Sequence, residues 1–246
     1  GQDLCIIVSC LGGGTGGGAS PIFAKLGRSS NCLTYGIFTL PFKFEGEKKM
    51  DSAKQALEKA RPYLNAFSVI PNEGIFQIIN KDTALKEALS AINQKLAQNL
   101  EGLIETIYSP GLINIDFADL RAILEGRGRL TYLNTIEIEA AEREEAMKRL
   151  ISSPLYPYTI KGARGILYNI VGGKELQLSE VSKISEIISI SANKKARIIF
   201  GVGQQKKYDS KLKITLLATG CSIKNEKLKT SQKTKPVIKK RRKRRI

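Results

Sequence analysis

Histidine and tryptophan are missing altogether from the 246 residues. Without an imidazole there is no histidine base or proton shuttle near neutral pH and no His-bearing metal site. Any chemistry must come from carboxylates, Lys/Arg, hydroxyls or backbone dipoles. No apolar run approaches the roughly 18 residues of a membrane-spanning helix. The four cysteines, Cys5, Cys10, Cys32 and Cys221, form no C-x-x-C pair. Cys5 and Cys10 lie in an apolar run, where free Cys acts as a small hydrophobe, and this usage points to a reducing, cytoplasmic compartment. The chain opens at Gly1 with neither an initiator Met nor a signal peptide and enters a strand pattern almost at once, so we expect a chain truncated at its N-terminus.

What remains is ordinary in bulk and uneven in charge. Hydrophobic residues make up 42% and charged residues 26%, enough for a sizeable core. The formal charge of +17 is concentrated at one end. Residues 224–246 hold 12 Lys/Arg against Glu226 alone, a net of +11, which leaves +6 for residues 1–223. Lys239, Lys240, Arg241, Arg242, Lys243, Arg244 and Arg245 are consecutive, and the surrounding Lys, Thr, Ser and Gln predict a disordered tail.

Leu4–Leu11 is a continuous apolar run, the pattern of a parallel strand covered on both faces. Gly12–Gly18 follows, and Ala19–Leu26 reads as a helix with Pro21 in its first turn. Further strands are expected at Cys32–Leu40 and Ala66–Ile70, with a helix between them from about Asp51; this alternation predicts a doubly wound parallel sheet. Leu85, Leu89, Ile92, Leu96, Leu100, Leu103 and Ile107 recur at helical spacing. They predict one helix over 81–108, ~40 Å long, a strut between two bodies. Beyond it, helices are expected at Leu120–Glu125, Ile138–Leu150 and Ser179–Ile190, and strands at Gly165–Val171, Ala196–Val202 and Lys213–Thr219, an α+β arrangement.

Two groups of residues carry chemical meaning. Gly12, Gly13, Gly14, Thr15, Gly16, Gly17 and Gly18 put backbone N–H groups at the positive end of a helix dipole, which suits phosphate. The Lys-Ser/Thr ending of a Walker A motif is absent, so amides and the Thr15 hydroxyl must act instead. Gly12, Gly14 and Gly17 also satisfy G-x-G-x-x-G, which keeps a dinucleotide-binding dehydrogenase open, although no acid occurs between Gly12 and Phe44 where that motif needs one. Asp116 and Asp119, three apart beside a helix start, can orient a water or a cation, or simply cap the helix. Because the strut lies between them and the glycine loop, one chain cannot bring the two together, and head-to-tail stacking of copies is required for joint action. Phe42 and Phe44 read as core.

The ordered series Gly12–Gly18 with Ala-Ser-Pro, Pro41-Phe-Lys-Phe-Glu-Gly46, Ile70-Pro-Asn72, Pro110-Gly-Leu112, Asn114-Ile-Asp-Phe-Ala-Asp119, Ile151-Ser-Ser-Pro-Leu155, Gly162-Ala-Arg-Gly165 and Ala218-Thr-Gly220 resembles the tubulin/FtsZ family of GTPases in its FtsZ branch. The resemblance implies a fold: an incomplete Rossmann-like parallel-sheet GTPase domain over 1–80, a central connecting helix over 81–109, a smaller α+β domain over 110–223 and a disordered polybasic tail over 224–246. It implies that Gly12–Gly18 hold the phosphates of GTP with Mg²⁺. Glu45, Lys49 and Asn72 would contact the nucleoside, Asn93 would read the guanine edge and Leu89 would pack on the base. Lys49, Gly17 and Leu89 stand where the family usually has Arg, Thr and Phe. Asp116 and Asp119 would complete the GTPase site of a neighbouring copy in a filament serving bacterial cell division, the truncated chain alone being inactive. The implied partners are the chain itself and, through the basic tail, membrane-anchoring division proteins or an anionic membrane at the division site, with nucleic acid behind them. A hydrolysis-deficient scaffold relative remains the alternative.

Overall fold

The computed structural model describes residues 2–80, 82–139 and 143–223. The basic tail, with Lys239–Arg245, lies outside the described residues, as does Lys81. Strand β1 (Leu4–Cys10) leads into helix α1 (Gly14–Ser29), followed by β2 (Leu33–Leu40), α2 (Glu47–Ala60) and β3 (Ala66–Pro71). The long helix α3 (Leu85–Tyr108), α4 (Phe117–Leu124), β4 (Arg129–Glu139), α5 (Arg143–Ile151), β5 (Tyr158–Thr159) and β6 (Gly165–Gly172) come next. The chain continues through α6 (Leu178–Ser191), β7 (Arg197–Gln204), β8 (Lys211–Thr219) and β9 (Ser222–Ile223).

Seven strands form one mainly parallel sheet in the order β1-β2-β3-β4-β8-β6-β7. β1, β2 and β3 run parallel, with Leu4 opposite Leu33 and Tyr35 opposite Ala66. Ala66 pairs in turn with Arg129, so β4 starts level with β3. β8 is antiparallel to both β4 and β6, and β7 returns parallel to β6. The apolar runs at β2, β6 and β8 become central strands: every residue of β2 but the last is buried, because helices cover both faces, whereas β1, expected to be covered on both faces, is an edge strand with Val8 exposed. The α/β class holds, with four Rossmann-like parallel strand starts followed by an antiparallel-containing half.

β4 is a strand that the sequence pattern did not reveal, and Ile138 lies in it rather than at the start of a helix, which begins only at Arg143. Thr131–Thr135 is buried at every position although three of those residues are polar. Donors and hydroxyls here find partners inside the fold: Asn134 Nδ2 donates to Leu150 O at 3.1 Å, and the Thr135 hydroxyl lies 3.2 Å from that of Thr215, while Asn134 Oδ1 is buried without a hydrogen-bond partner. A strand whose polar side chains are taken up by tertiary partners cannot be found by looking for an apolar run.

α3 begins at Leu85 rather than Lys81, is 24 residues and ~36 Å long, and lies on the sheet instead of spanning free space. Buried Asn99 accepts from Thr135 N at 2.8 Å and donates to Leu133 O at 3.0 Å. Gly102 permits the close approach, since a Cβ there would come within 2.3 Å of Thr135 Oγ1. Buried Lys213 on β8 meets Glu105 at 2.5 Å. On the other side of the junction, Tyr35, Tyr132, Tyr156 and Tyr158 are buried with their hydroxyls bonded. Tyr158 accepts from Val69 N at 2.9 Å and donates to Thr131 O at 3.0 Å, clamping residues 150–160 onto β3 and β4.

One buried cation on α3 gives the fold a measurable pH signature. Lys95 donates to Thr135 O and to Gln98 Oε1, and burial, with Arg149 adding repulsion, pushes its pKa down to about 8. Unfolded, it holds its proton to about pH 10.4. Between those values the unfolded chain binds more protons, so stability rises with pH there, by ~3 kcal/mol at most. Lys95→Met is expected to remove that contribution, read as a urea-unfolding free energy that falls relative to the parent chain's as pH rises from about 8 to about 10.

Candidate functional site

The C-terminal ends of β1, β2 and β3 sit side by side, and each carries a group of the expected site residues, as the strand ends of parallel sheets commonly do. After β1, Gly12 turns the chain at φ +101°, a conformation that favours glycine. The helix begins at Gly14, not at Ala19, and Pro21 falls in its third turn rather than its first. The glycine run is therefore half turn and half helix, closed by Gly17 N donating to Gly13 O at 3.1 Å. So glycine-rich a start survives because Gly16 packs against the strand. A Cβ at Gly16 would lie 2.1 Å from Cys10 O and 2.7 Å from Ser9 Oγ.

The remaining glycines are not required by packing. A Cβ at Gly13, Gly14 or Gly18 would meet nothing within 4 Å, and at Gly17 only Ala56 at ordinary contact distance. The N-cap residue Gly13 supplies no side-chain cap and the first turn holds no acid, so the first amides and the positive end of the α1 dipole face open space beside exposed Thr15. This cradle fits an anionic phosphate group.

After β2, Glu45 accepts from Phe42 N at 2.7 Å and from the Lys49 ammonium one turn on. Lys49 also borders the glycine turn, its carbonyl 3.0 Å from the position of a Cβ on Gly12. The hydrogen bond from Lys49 holds the Glu45 carboxyl below the usual carboxylate range, against a smaller opposing effect of burial. Phe42 is buried as expected, but Phe44 is 70% exposed and stacks on it at 4.8 Å. After β3, Asn72 opens a short 3-10 turn, and its neighbour Glu73 accepts from Lys43 N at 2.7 Å. Glu73 ties the β2 and β3 ends together and was not singled out from the sequence; its adjacency to Asn72 was the available signal. Leu89 and Asn93 share the exposed side of α3 near this turn, while Ala88 and Ile92 face the core.

Asp116 and Asp119 are elsewhere. Leu112 N donates to Val202 O at 2.7 Å and Ile113 pairs with Val202, which pins the loop after α3 to β7; Ile115 packs on Gly201 of the same strand. The two acids then cap α4 reciprocally: Asp119 N donates to Asp116 Oδ1 at 2.8 Å and Asp116 N to Asp119 Oδ2 at 3.2 Å. Each carboxylate keeps its second oxygen outside this box. β1 and β7 are opposite edges of the sheet, six strand spacings or ~29 Å apart; the glycine turn follows β1, whereas the loop that leads into the acid pair is bonded to β7. Among the described residues no group of three His, Cys, Asp or Glu could hold a metal ion by itself.

With this geometry in view, the comparisons with known proteins are consistent along the chain. Residues 1–80 match the Tubulin/FtsZ family GTPase domain and residues 134–222 match the FtsZ family C-terminal domain. A solved FtsZ dimer from M. jannaschii, empty of ligand, superposes with a TM-score of 0.81 at 31% identity, covering 94% of this chain and 70% of that one. A GTPγS-bound CetZ2 protofilament from Haloferax volcanii and the type III plasmid segregation protein TubZ share the fold at 18% and 16% identity, with TM-scores of 0.73 and 0.70. They cover 89% and 90% of this chain but only 66% and 64% of theirs.

Two substitutions separate packing glycines from open ones. Gly16→Ala must displace the Cys10 carbonyl and is expected to lower stability by about 1–3 kcal/mol. Gly14→Ala meets no neighbour and should leave the thermal midpoint unchanged or slightly raised, since Ala favours helix. At Glu45, Lys49→Met is expected to raise the carboxyl midpoint toward about 4.3, read by carbon NMR. The pair's contribution to stability, present above that value in the parent, is lost as pH falls through the depressed folded value.

Proposed function

The chain belongs to the tubulin/FtsZ family, and from that premise we propose that it is a polymerising GTPase of the FtsZ kind whose active site is completed across a head-to-tail contact between copies. The observation that carries the reading is the separation of an open phosphate cradle from a capped acid pair by the width of a seven-stranded sheet. Each half lacks what the other supplies. A heterologous contact that brings the acid loop of one copy to the glycine turn of the next joins them, and repeated it makes a filament.

In that assembly the amides at the start of α1 and the Thr15 hydroxyl bind the polyphosphate, and Glu45, Lys49 and Asn72 line the nucleoside side. Leu89 packs on the base plane and Asn93, one turn further on, offers both a donor and an acceptor to the guanine edge. The free oxygens of Asp116 and Asp119 orient and polarise the attacking water, while their other oxygens hold the α4 start rigid. Mg²⁺ would reach the site on the nucleotide phosphates, with Thr15 Oγ1 as the nearby protein oxygen; when bound it neutralises phosphate charge. Hydrolysis of the phosphoanhydride then rests mainly on backbone amides placed where charge develops.

Exposed apolar side chains support self-association at the same two places. Phe44, Phe76 and Leu85 surround the strand-end side, and Tyr108, Leu112 and Phe200 surround the acid loop. The proposed setting is the cytoplasmic division site, with filaments serving cell division. A second reading, a filament former without turnover, draws on exposed Leu89, which offers no aromatic face to the base.

GTP turnover should be measured against protein concentration on the chain as given and on a version extended at its N-terminus to the length of the FtsZ relatives. The expected result is upward curvature with a threshold in the extended form and none in the chain as given. Asp119→Asn is expected to lower turnover by roughly 10²–10⁴-fold with GTP retention unchanged. Turnover strictly proportional to concentration sinks the shared site, and wild-type filaments that bind GTP without any turnover favour the second reading.

A further inference from the structure

The loop that leads to Asp116 and Asp119 is bonded to Val202 on one side and springs from the last turn of α3 on the other, where one residue is engaged twice. Glu105 O accepts from Ser109 N at 2.9 Å, where the helix gives way to the loop, and the Glu105 carboxylate meets the Lys213 ammonium at 2.5 Å. Asn99, Gly102 and Glu105 follow at intervals of three and so lie along one side of α3. Each touches the sheet. Asn99 is bonded to Leu133 and Thr135 on β4, Gly102 lies against Thr135 and Thr215, and Glu105 reaches Lys213, two residues from Thr215 along β8. The last of these contacts is the one beside the loop.

Lys213 is 4% exposed, on a strand whose Ile214, Leu216 and Leu217 are wholly buried. Its cross-strand neighbour on β4, Glu137, is engaged by Lys211 and by the Tyr208 hydroxyl at 3.2 Å, and the carboxylate that pairs with Lys213 is Glu105. Taking such a pair out of water costs about as much as it returns, and an apolar residue of similar volume would hold α3 at least as firmly. What the pair adds is direction: a charge-assisted bond fixes both the rotation of α3 and its advance along β8. Little slack follows to absorb an error there. A Cβ on Gly111 would lie 2.5 Å from Val202 O, Leu112 N donates to that same oxygen at 2.7 Å, and Asp116 comes directly after Ile115, which packs on Gly201.

We propose that Glu105 and Lys213 are positioning residues for the acid loop: they set the end of α3 from which the loop starts, and through it the direction in which Asp116 and Asp119 present their second oxygens. The holding of the loop stands on this chain's own contacts, whereas its effect on hydrolysis rests on the GTPase reading above. In that scheme neither side chain touches the nucleotide or the attacking water. Both act through the two aspartates, where a misplacement of about 1 Å costs on the order of 10²-fold in rate.

The test is amide hydrogen exchange, followed by NMR, on the full 246-residue chain. Lys213→Met keeps the buried stem and leaves Glu105, whose side chain is 31% exposed, to water, so the variant is expected to fold. It should speed exchange of the Leu112, Ile113 and Asp119 amides about tenfold while the amides of β2 keep their parent rates. Lys213→Arg is expected to restore the protection. Glu105→Asp retains both charges and draws the carboxylate back by one methylene; it is expected to give a rise of about threefold and keeps the test decisive if Lys213→Met folds poorly. Parent-like loop exchange in both variants overturns the proposal. So does equal acceleration in β2, which would make the pair an ordinary stabiliser, or failure of Lys213→Arg to restore protection. In the N-terminally extended form, Lys213→Met is expected to lower kcat about tenfold with the KM for GTP unchanged, and an unchanged kcat would refute the positioning role. An extended parent without any turnover would sink the GTPase reading and leave the exchange result standing.

Discussion

The hydrogen-bonded ladder from β1 to β7 is the constraint on which the rest depends. Strand spacing is set by backbone geometry and barely varies, so whatever is attached to the two edge strands is held apart by a fixed distance. The glycine turn is covalently continuous with one edge, and the acid loop is bonded to the other through Val202. The separation of the two half-sites is therefore a property of the sheet rather than of a flexible hinge, and α3, seated on β4 and β8 through Asn99, Gly102 and Glu105, reinforces it.

Within each half-site, ordinary structural chemistry leaves functional groups unused. At α1 the helix has neither a side-chain cap nor an acid in its first turn, an arrangement that costs stability unless an anion completes it. At α4 the opposite device is present: two carboxylates satisfy each other's backbone amides, and this fixes the direction of their second oxygens. In the proposed filament, an anion receptor without charge and a charge pair without a substrate complement each other across the contact between copies.

Much of this was legible in the residues. The apolar runs of β2, β6 and β8 identify buried strands because helices cover both faces, and the three-and-four spacing of Ile92, Leu96 and Leu103 identifies α3 because one side of it meets the sheet. β4 was not legible, because its buried Asn134 and Thr135 find partners on residues distant in sequence. The helical start of the glycine run was hidden for a related reason: local propensity argues against five glycines in sixteen helical positions, and only the contact of Gly16 with Cys10 makes that start worthwhile. Phe42 and Phe44 look alike in the chain but diverge once folded, one buried and one exposed, since the strand ends at Leu40 and Phe44 sits in a 3-10 turn over Lys43–Glu45, stacked on the outer side of Phe42.

By itself, the sequence determined which groups exist to do chemistry: glycine amides and a hydroxyl in place of a lysine-bearing loop, a pair of carboxylates in place of any histidine, and a charge excess gathered toward one end. Those are matters of composition and local spacing, and no folding is needed to count them. Only the tertiary structure decided which of these groups are neighbours. Residues far apart in sequence meet or separate through strand order, and strand order follows from packing many buried side chains at once, which no local pattern encodes.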